Sequence, residues 1–337
     1  MAHQLFKDDT LHPEYKSFIK PKIAVILANL GGPDSIMAVR PFLFNLFYDR
    51  AIIDLPNPWR FLLAKYISFT RLGKSQEIYL QIGGLSPILP NTLNQAKSLK
   101  DALLEDYHLV VLPMMRYWHP RASEVVSILE EFAPEKIVLL PLYPHFSTTT
   151  TQSTLEEWWR VAKDWQDKTL VLDNHFNDPD FIGAHQESIL PILDEARIYG
   201  DPIILFSAHG LPQKTIDKGD PYQKQIEASV GAIMRVFDGV DHSVCYQSKV
   251  GPLKWLEPSL DNQLKNAANQ KRPVVVVPIS FVCEHSETLV ELDIYYKNLA
   301  KNLNIPFYGR VPALAEHPLY IKCLAKAVRN LIGSAKK

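Results

Sequence analysis

Four consecutive valines, Val274 to Val277, stand between Pro273 and the segment Pro278-Ile279-Ser280-Phe281. A short β-branched run without polar alternation predicts a strand buried on both faces, the mark of a parallel sheet covered by helices. Beyond it the period turns helical. Leu289, Leu292, Tyr296, Leu299 and Leu303 recur at three- and four-residue spacing and predict one apolar stripe. Glu287 and Glu291 are four residues apart and so share a face roughly opposite that stripe. His285, beside Glu284, falls in the first turn. Ligands of open parallel sheets bind beyond the carboxyl ends of the strands, where Cys283 to Glu287 must lie. A solvated helix face with an incidental histidine is the competing reading.

A second apolar run, Pro202 to Phe206, ends in Ser207-Ala208-His209-Gly210-Leu211-Pro212. Gly210 and Pro212 predict a tight turn directly after His209, which places that imidazole on a rigid strand end. A lone histidine there is more often a hydrogen-bonded core residue than a ligand. A second strand end offering Glu287 shifts that balance. Imidazole plus carboxylate suits a borderline divalent metal such as iron(II), and the same groups accept protons.

The alternation of strand and helix runs through most of the chain. Strands are predicted at 22–28, 108–114, 136–142, 169–172, 202–207, 243–246, 274–280 and 306–308. Two successive runs of βα units predict an α/β fold of two similar doubly wound, Rossmann-like domains with parallel four-stranded sheets. The change of domain is expected near Ser147 to Thr154. Residues 1–20 then form an arm, 21–150 a first domain and 151–317 a second, with a terminal helix over 318–332 packing back on the first. A ligand cleft is expected between the domains.

Composition narrows the function. The 337 residues are 47% hydrophobic and carry a formal net charge of −1, so no basic field exists to attract nucleic acid. Cys245, Cys283 and Cys323 lie far apart without CxxC spacing, which argues against a zinc ribbon or a disulfide framework and for a reducing, cytoplasmic compartment. The first residues lack an apolar signal core, and no apolar run reaches the roughly 20 residues of a spanning helix. Asn29-Leu30-Gly31-Gly32-Pro33 follows the first strand, but it lacks GxGxxG spacing, and Pro33 removes a donor that a phosphate would use.

Several segments together resemble one family. ANLGGPD, IGGLSP after Gln81, RYWHP from Arg116, SAHGLP, YQSKVGPLKWLEP and CEHSETLVELDIYY occur in the order found in ferrochelatases, the enzymes that insert iron(II) into protoporphyrin IX. The similarity covers about Lys22 to Ala315. It implies the chelatase fold, protoporphyrin IX and ferrous iron as substrates, and a cleft whose wall includes Arg116, Tyr117, Tyr143 and Trp255. It places Arg71 and Ser86 at the porphyrin carboxylates, and an arginine fork suits a carboxylate bidentately. By their chemistry alone, Arg71 is equally a solvated surface arginine and Trp255 a core aromatic. The aromatic region from Phe42 to Phe69 corresponds to an apolar lip at the cleft mouth, through which peripheral membrane contact is expected. A monomer is expected.

The resemblance also assigns the chemistry. His209 is expected to face the macrocycle as proton acceptor or iron ligand, with Glu287 opposite it and Glu291 continuing an acidic track. In many members a third carboxylate follows one turn on; here that position is Tyr295. Members with a [2Fe–2S] cluster carry cysteine in place of Thr148 and three more in a C-terminal extension, so no cluster is expected. Two other readings compete: a chelatase for another tetrapyrrole, taking coproporphyrin or cobalt, and a non-catalytic two-lobed binding protein.

Overall fold

The computed structural model describes residues 20–335 apart from 250 and 252. The expected arm at 1–20 lies almost wholly outside the described residues. Eight strands form two parallel four-stranded sheets. The first comprises β1 (Lys22–Asn29), β2 (His108–Met115), β3 (Lys136–Pro141) and β4 (Thr169–Val171), in the order β2-β1-β3-β4. The second comprises β5 (Ile203–His209), β6 (Asp241–Gln247), β7 (Val274–Pro278) and β8 (Tyr308–Arg310), and repeats that order as β6-β5-β7-β8. The valine run is β7, and all four side chains are fully buried, as helical cover on both faces requires.

One boundary differs from the expectation. Thr169–Val171 pairs with Ile137–Leu139 of β3 and so completes the first sheet. The helix Ser153–Val161 belongs with it, because Trp158, fully buried, packs beneath Ala24, Ile26 and Leu139. The first unit therefore continues past residue 150 to β4. Sequence periodicity could not show this, since a three-residue edge strand has too little pattern to declare its partner.

The two sheets share a core. Val25 and Leu27 of β1, Phe206 of β5 and Val275 of β7 belong to one continuous buried cluster. Tyr320 and Leu324 of the terminal helix Pro318–Ser334 join it, so that helix packs between the lobes and not only on the first.

In a 2-1-3-4 sheet the chain reverses direction between the first and third strands, and ligand crevices open there. For the second sheet that point lies between β5 and β7, where His209 ends one strand and the segment leading to Glu287 leaves the other.

Candidate active site

His209 closes β5, and its orientation is fixed from three sides. Its backbone N–H donates to Ser280 Oγ at 3.1 Å, its carbonyl accepts from Tyr222 OH at 3.1 Å, and its Nδ1 lies 2.9 Å from Glu287 Oε2. Gly210 makes the turn possible by close approach. A Cβ there would lie 2.9 Å from the Gln247 carbonyl and 3.2 Å from the Trp255 ring. Histidine and glutamate are thus bonded neighbours on one sheet edge, not groups on opposite walls.

Glu287 opens a ten-residue π-helix, Glu287–Tyr296, where α-helical periodicity was expected. This winding bonds i to i+5, is rare, and frequently marks functional sites. It disturbs the expected stripe: Leu292 and Tyr296 are buried, but so are Thr288 and Val290. The acidic row survives, because residues four apart remain neighbours on the wider turn. Gln247, the last residue of β6, donates from Nε2 to the Glu287 carbonyl at 2.9 Å and to Glu291 Oε2 at 3.0 Å. Ser248 Oγ donates to the same oxygen at 2.6 Å. Tyr295 continues the row outward and is 55% exposed.

The environment separates the two carboxyls. Burial opposes ionisation of Glu287, but the positive charge and hydrogen bond of the adjacent His209 imidazolium outweigh it and hold Glu287 well below the usual carboxylate range. Burial raises Glu291, the Glu287 charge raises it further, and donation from Ser248 and Gln247 only partly offsets this, leaving it near 7. For His209, burial disfavours the imidazolium, yet the Glu287 carboxylate wins and its pKa is raised. Among the described residues, no group of three or more His, Cys, Asp or Glu side chains is arranged to hold a metal ion.

The segment before the π-helix is stitched to the first lobe. Asn29, closing β1, donates to Cys283 Sγ at 3.5 Å, and that thiol donates to Gln95 Oε1 at 3.1 Å. Gln95 Nε2 in turn donates to the carbonyls of Val282 and Ala315, each at 3.0 Å. Burial pushes the Cys283 thiol up to about 12, although hydrogen bonding with Thr92, Asn29 and Gln95 works the other way.

The remaining sequence-predicted residues divide into groups. Arg116 and Tyr117 form a buried polar knot with Asp49 and Ser153. Arg116 Nη2 lies 2.9 Å and Tyr117 OH 2.6 Å from Asp49 Oδ2, which also accepts from Ser153 Oγ. Asp49 was missed because a carboxylate in a loop after a helix carries no sequence signal of its partner. The Tyr143 hydroxyl is buried without a hydrogen-bond partner. Trp255 forms an isolated bridge with Pro212 beside the His209 turn. Arg71 lies with its guanidinium carbon 5.7 Å from the centre of the Phe47 ring and makes no ion pair among the described residues. Ser86 is buried, its hydroxyl directly under Gly32. Of the expected lip, Phe42 is buried in a core cluster with Leu43, Tyr79 and Tyr117, whereas Trp59, Leu62, Tyr66 and Phe69 are each more than half exposed.

Comparison with known proteins identifies the family. The ferrochelatase family profile matches residues 22–331. A ferrochelatase from Wolbachia sp. subsp. Drosophila simulans is 53% identical over 316 residues, covering 92% of this chain and 99% of that protein. One from Caulobacter vibrioides is 46% identical over 318 residues, covering 93% of this chain and 91% of that one. In fold, the chain is similar to SirB from Bacillus subtilis solved with Fe3+, with a TM-score of 0.58 at 12% identity over 94% of this chain and 97% of that one. On the profile and these relatives, the chain belongs to the ferrochelatase family.

Proposed function

We propose that His209 and Glu287 are the chemical centre of this enzyme, where ferrous iron enters protoporphyrin IX and the two pyrrole protons leave. The observation that carries this reading is the 2.9 Å bond from His209 Nδ1 to Glu287. A carboxylate accepting from Nδ1–H sets the neutral tautomer with its lone pair on Nε2, the nitrogen left to take a pyrrole proton or to touch iron. Glu291, poised near neutrality one turn away, is suited to receive the proton and pass it outward. Two protein donors leave most positions around iron to porphyrin nitrogens and water, which suits a metal handed on rather than kept.

The porphyrin is gripped by Trp255 and the lip, with Arg71 as the free cation for a propionate. Trp255→Ala should therefore weaken binding of metal-free protoporphyrin in a fluorescence titration; unchanged affinity would return Trp255 to the core. Arg116→Ala is a poorer test. It leaves the buried Asp49 carboxylate without its cation, a loss of about 3–5 kcal/mol in stability. The activity test is anaerobic incubation with iron(II) and protoporphyrin while following the porphyrin absorption, with cobalt and coproporphyrin in parallel. Haem formation is expected fastest with the iron and protoporphyrin pair, and no turnover there would overturn the reading.

Two further points belong to this proposal. Thr148 donates from both its backbone N–H and its hydroxyl to Asp220 Oδ2, each at 2.7 Å, so this position offers a cluster no thiolate. The enzyme is therefore proposed to work without iron–sulfur, and purified protein should contain no acid-labile sulfide. No helix among the described residues is long and apolar enough to cross a membrane, while Arg40 and Lys65 flank the exposed Leu62, Tyr66 and Phe69. Membrane contact is proposed to be peripheral, in a cytoplasmic enzyme.

A further inference from the structure

The geometry points to Arg310, the last residue of β8, as a positioning residue that holds the π-helix in register for the reaction. Its guanidinium bonds two carboxylates. Nη1 donates to Glu284 Oε1 at 2.6 Å, while Nε donates to Asp293 Oδ1 at 2.8 Å and Nη2 to Asp293 Oδ2. Glu284 precedes the π-helix, and Asp293 lies within it. Glu287 and Glu291 both fall between these two clamp points. The Arg310 side chain is only 11% exposed.

The surroundings reinforce the clamp. Glu284 Oε1 also accepts from the Ala313 backbone N–H at 3.0 Å, and its carbonyl accepts from Asn91 Nδ2 at 3.2 Å. Tyr308, two residues before Arg310 on the same strand, donates from its hydroxyl to the Leu292 carbonyl at 2.8 Å. Gly309 lets that strand lie close, since a Cβ there would come 2.5 Å from Ile192 Cγ2. A π-helix of this length has an easier α-helical alternative, which bonds i to i+4 and turns each successive residue further round the axis. Rewinding would carry Asp293 and the Leu292 carbonyl away from their partners on β8 while Glu284 stayed tied. One planar fork that bonds both carboxylates at once resists this. A lysine, a compact charge on a flexible stem, cannot reproduce it.

The inference rests on the reading of Glu287 and Glu291 given above. Its test is Arg310→Lys and Asp293→Asn, with Glu287→Gln measured beside them. Asp293 is 35% exposed, and Asp293→Asn leaves the Arg310–Glu284 pair intact, so that variant keeps the fold. Both brace variants should lose about tenfold to a hundredfold in kcat, the scale of a small misplacement of reacting groups. KM and affinity for metal-free protoporphyrin should stay within about twofold, as expected when only transition-state geometry is lost. Amide exchange over 287–296 should quicken. Brace variants that turn over like wild type while Glu287→Gln is slow would overturn the inference and leave the site standing. Parallel loss of turnover and porphyrin affinity would also overturn it, because that is a merely structural role. A Glu287→Gln enzyme with normal turnover would instead sink the site reading, and the brace with it.

Discussion

Replacing His209 with alanine is expected to lower turnover by more than about a hundredfold, the lower range for loss of a positioned acid–base group. Porphyrin affinity should hardly change, because apolar walls and propionate contacts supply most of it. The size of the effect follows from the pair: with His209 gone, the Glu287 carboxylate keeps its burial and loses the imidazole that offsets it. Glu287→Gln keeps shape and one hydrogen bond but removes the charge that raises His209, so it should also slow the enzyme strongly. Glu291→Gln should cost less and Tyr295→Phe least, since Tyr295 sits at the exposed outer end of the row. Steady-state kinetics with fluorescence titration of metal-free porphyrin checks the series, and circular dichroism confirms folding. Near-normal turnover in His209→Ala would sink the assignment.

A loss of stability below pH 6.5 is the second large effect. His145, His175 and His185 are all buried and surround Phe181, with ring centroids 6.3, 5.5 and 4.8 Å away. His145 Nε2 meets Ser229 Oγ at 3.0 Å, and His175 Nε2 meets Tyr320 OH at 3.4 Å, while both Nδ1 atoms and both nitrogens of His185 lack partners. Burial pushes His175 down to about 4, despite Asp178, and His185 down to about 3, helped by His317, which pairs with Glu187 at 3.4 Å. Burial lowers His145 well below its ordinary range too, with smaller contributions from the other two imidazoles.

The sign follows from linkage. The unfolded chain binds protons near pH 6.5 and the folded chain only far lower, so stability is full above 6.5 and falls as pH drops through that window. At about 1.4 kcal/mol per pH unit for each group, His175 and His185 together should cost about 4 kcal/mol between pH 6.5 and 5. His145 adds in the same direction. Native domains hold only about 5–15 kcal/mol, so the urea midpoint should drop steeply over that range. His209, whose pKa is raised, acts oppositely: its contribution is complete below pH 6.5 and is lost as pH rises through the folded value. His185→Leu should flatten the acid slope. A urea midpoint unchanged from pH 7 to pH 5 would contradict the account.

Much of this architecture was legible in residue patterns. The valine run declared a doubly covered parallel strand, and the pattern pointed to one sheet edge for His209 and Glu287, whose side chains do meet there. Less legible was whatever depends on which segments meet. Thr169–Val171 carries too few residues to reveal that it pairs with β3, so the first unit seemed to end early. The π winding was hidden because spacings of three and four fit an α-helix equally well. The residues that bond it lie elsewhere in the chain, at Arg310, Tyr308 and Gln247. Asp49, likewise, has meaning only once Arg116, Tyr117 and Ser153 converge on it.

Cys283 has a consequence for metal discrimination. A thiolate beside a path for divalent ions would be a sink for soft metals, since it is the deprotonated sulfur that ligates them. Here the sulfur sits two residues ahead of His285, yet it remains a thiol donating to Gln95, with Asn29 closing its other side. Burial thus keeps this sulfur, at the seam of the two lobes, in the one protonation state that neither ligates soft metals nor reacts readily with oxidants.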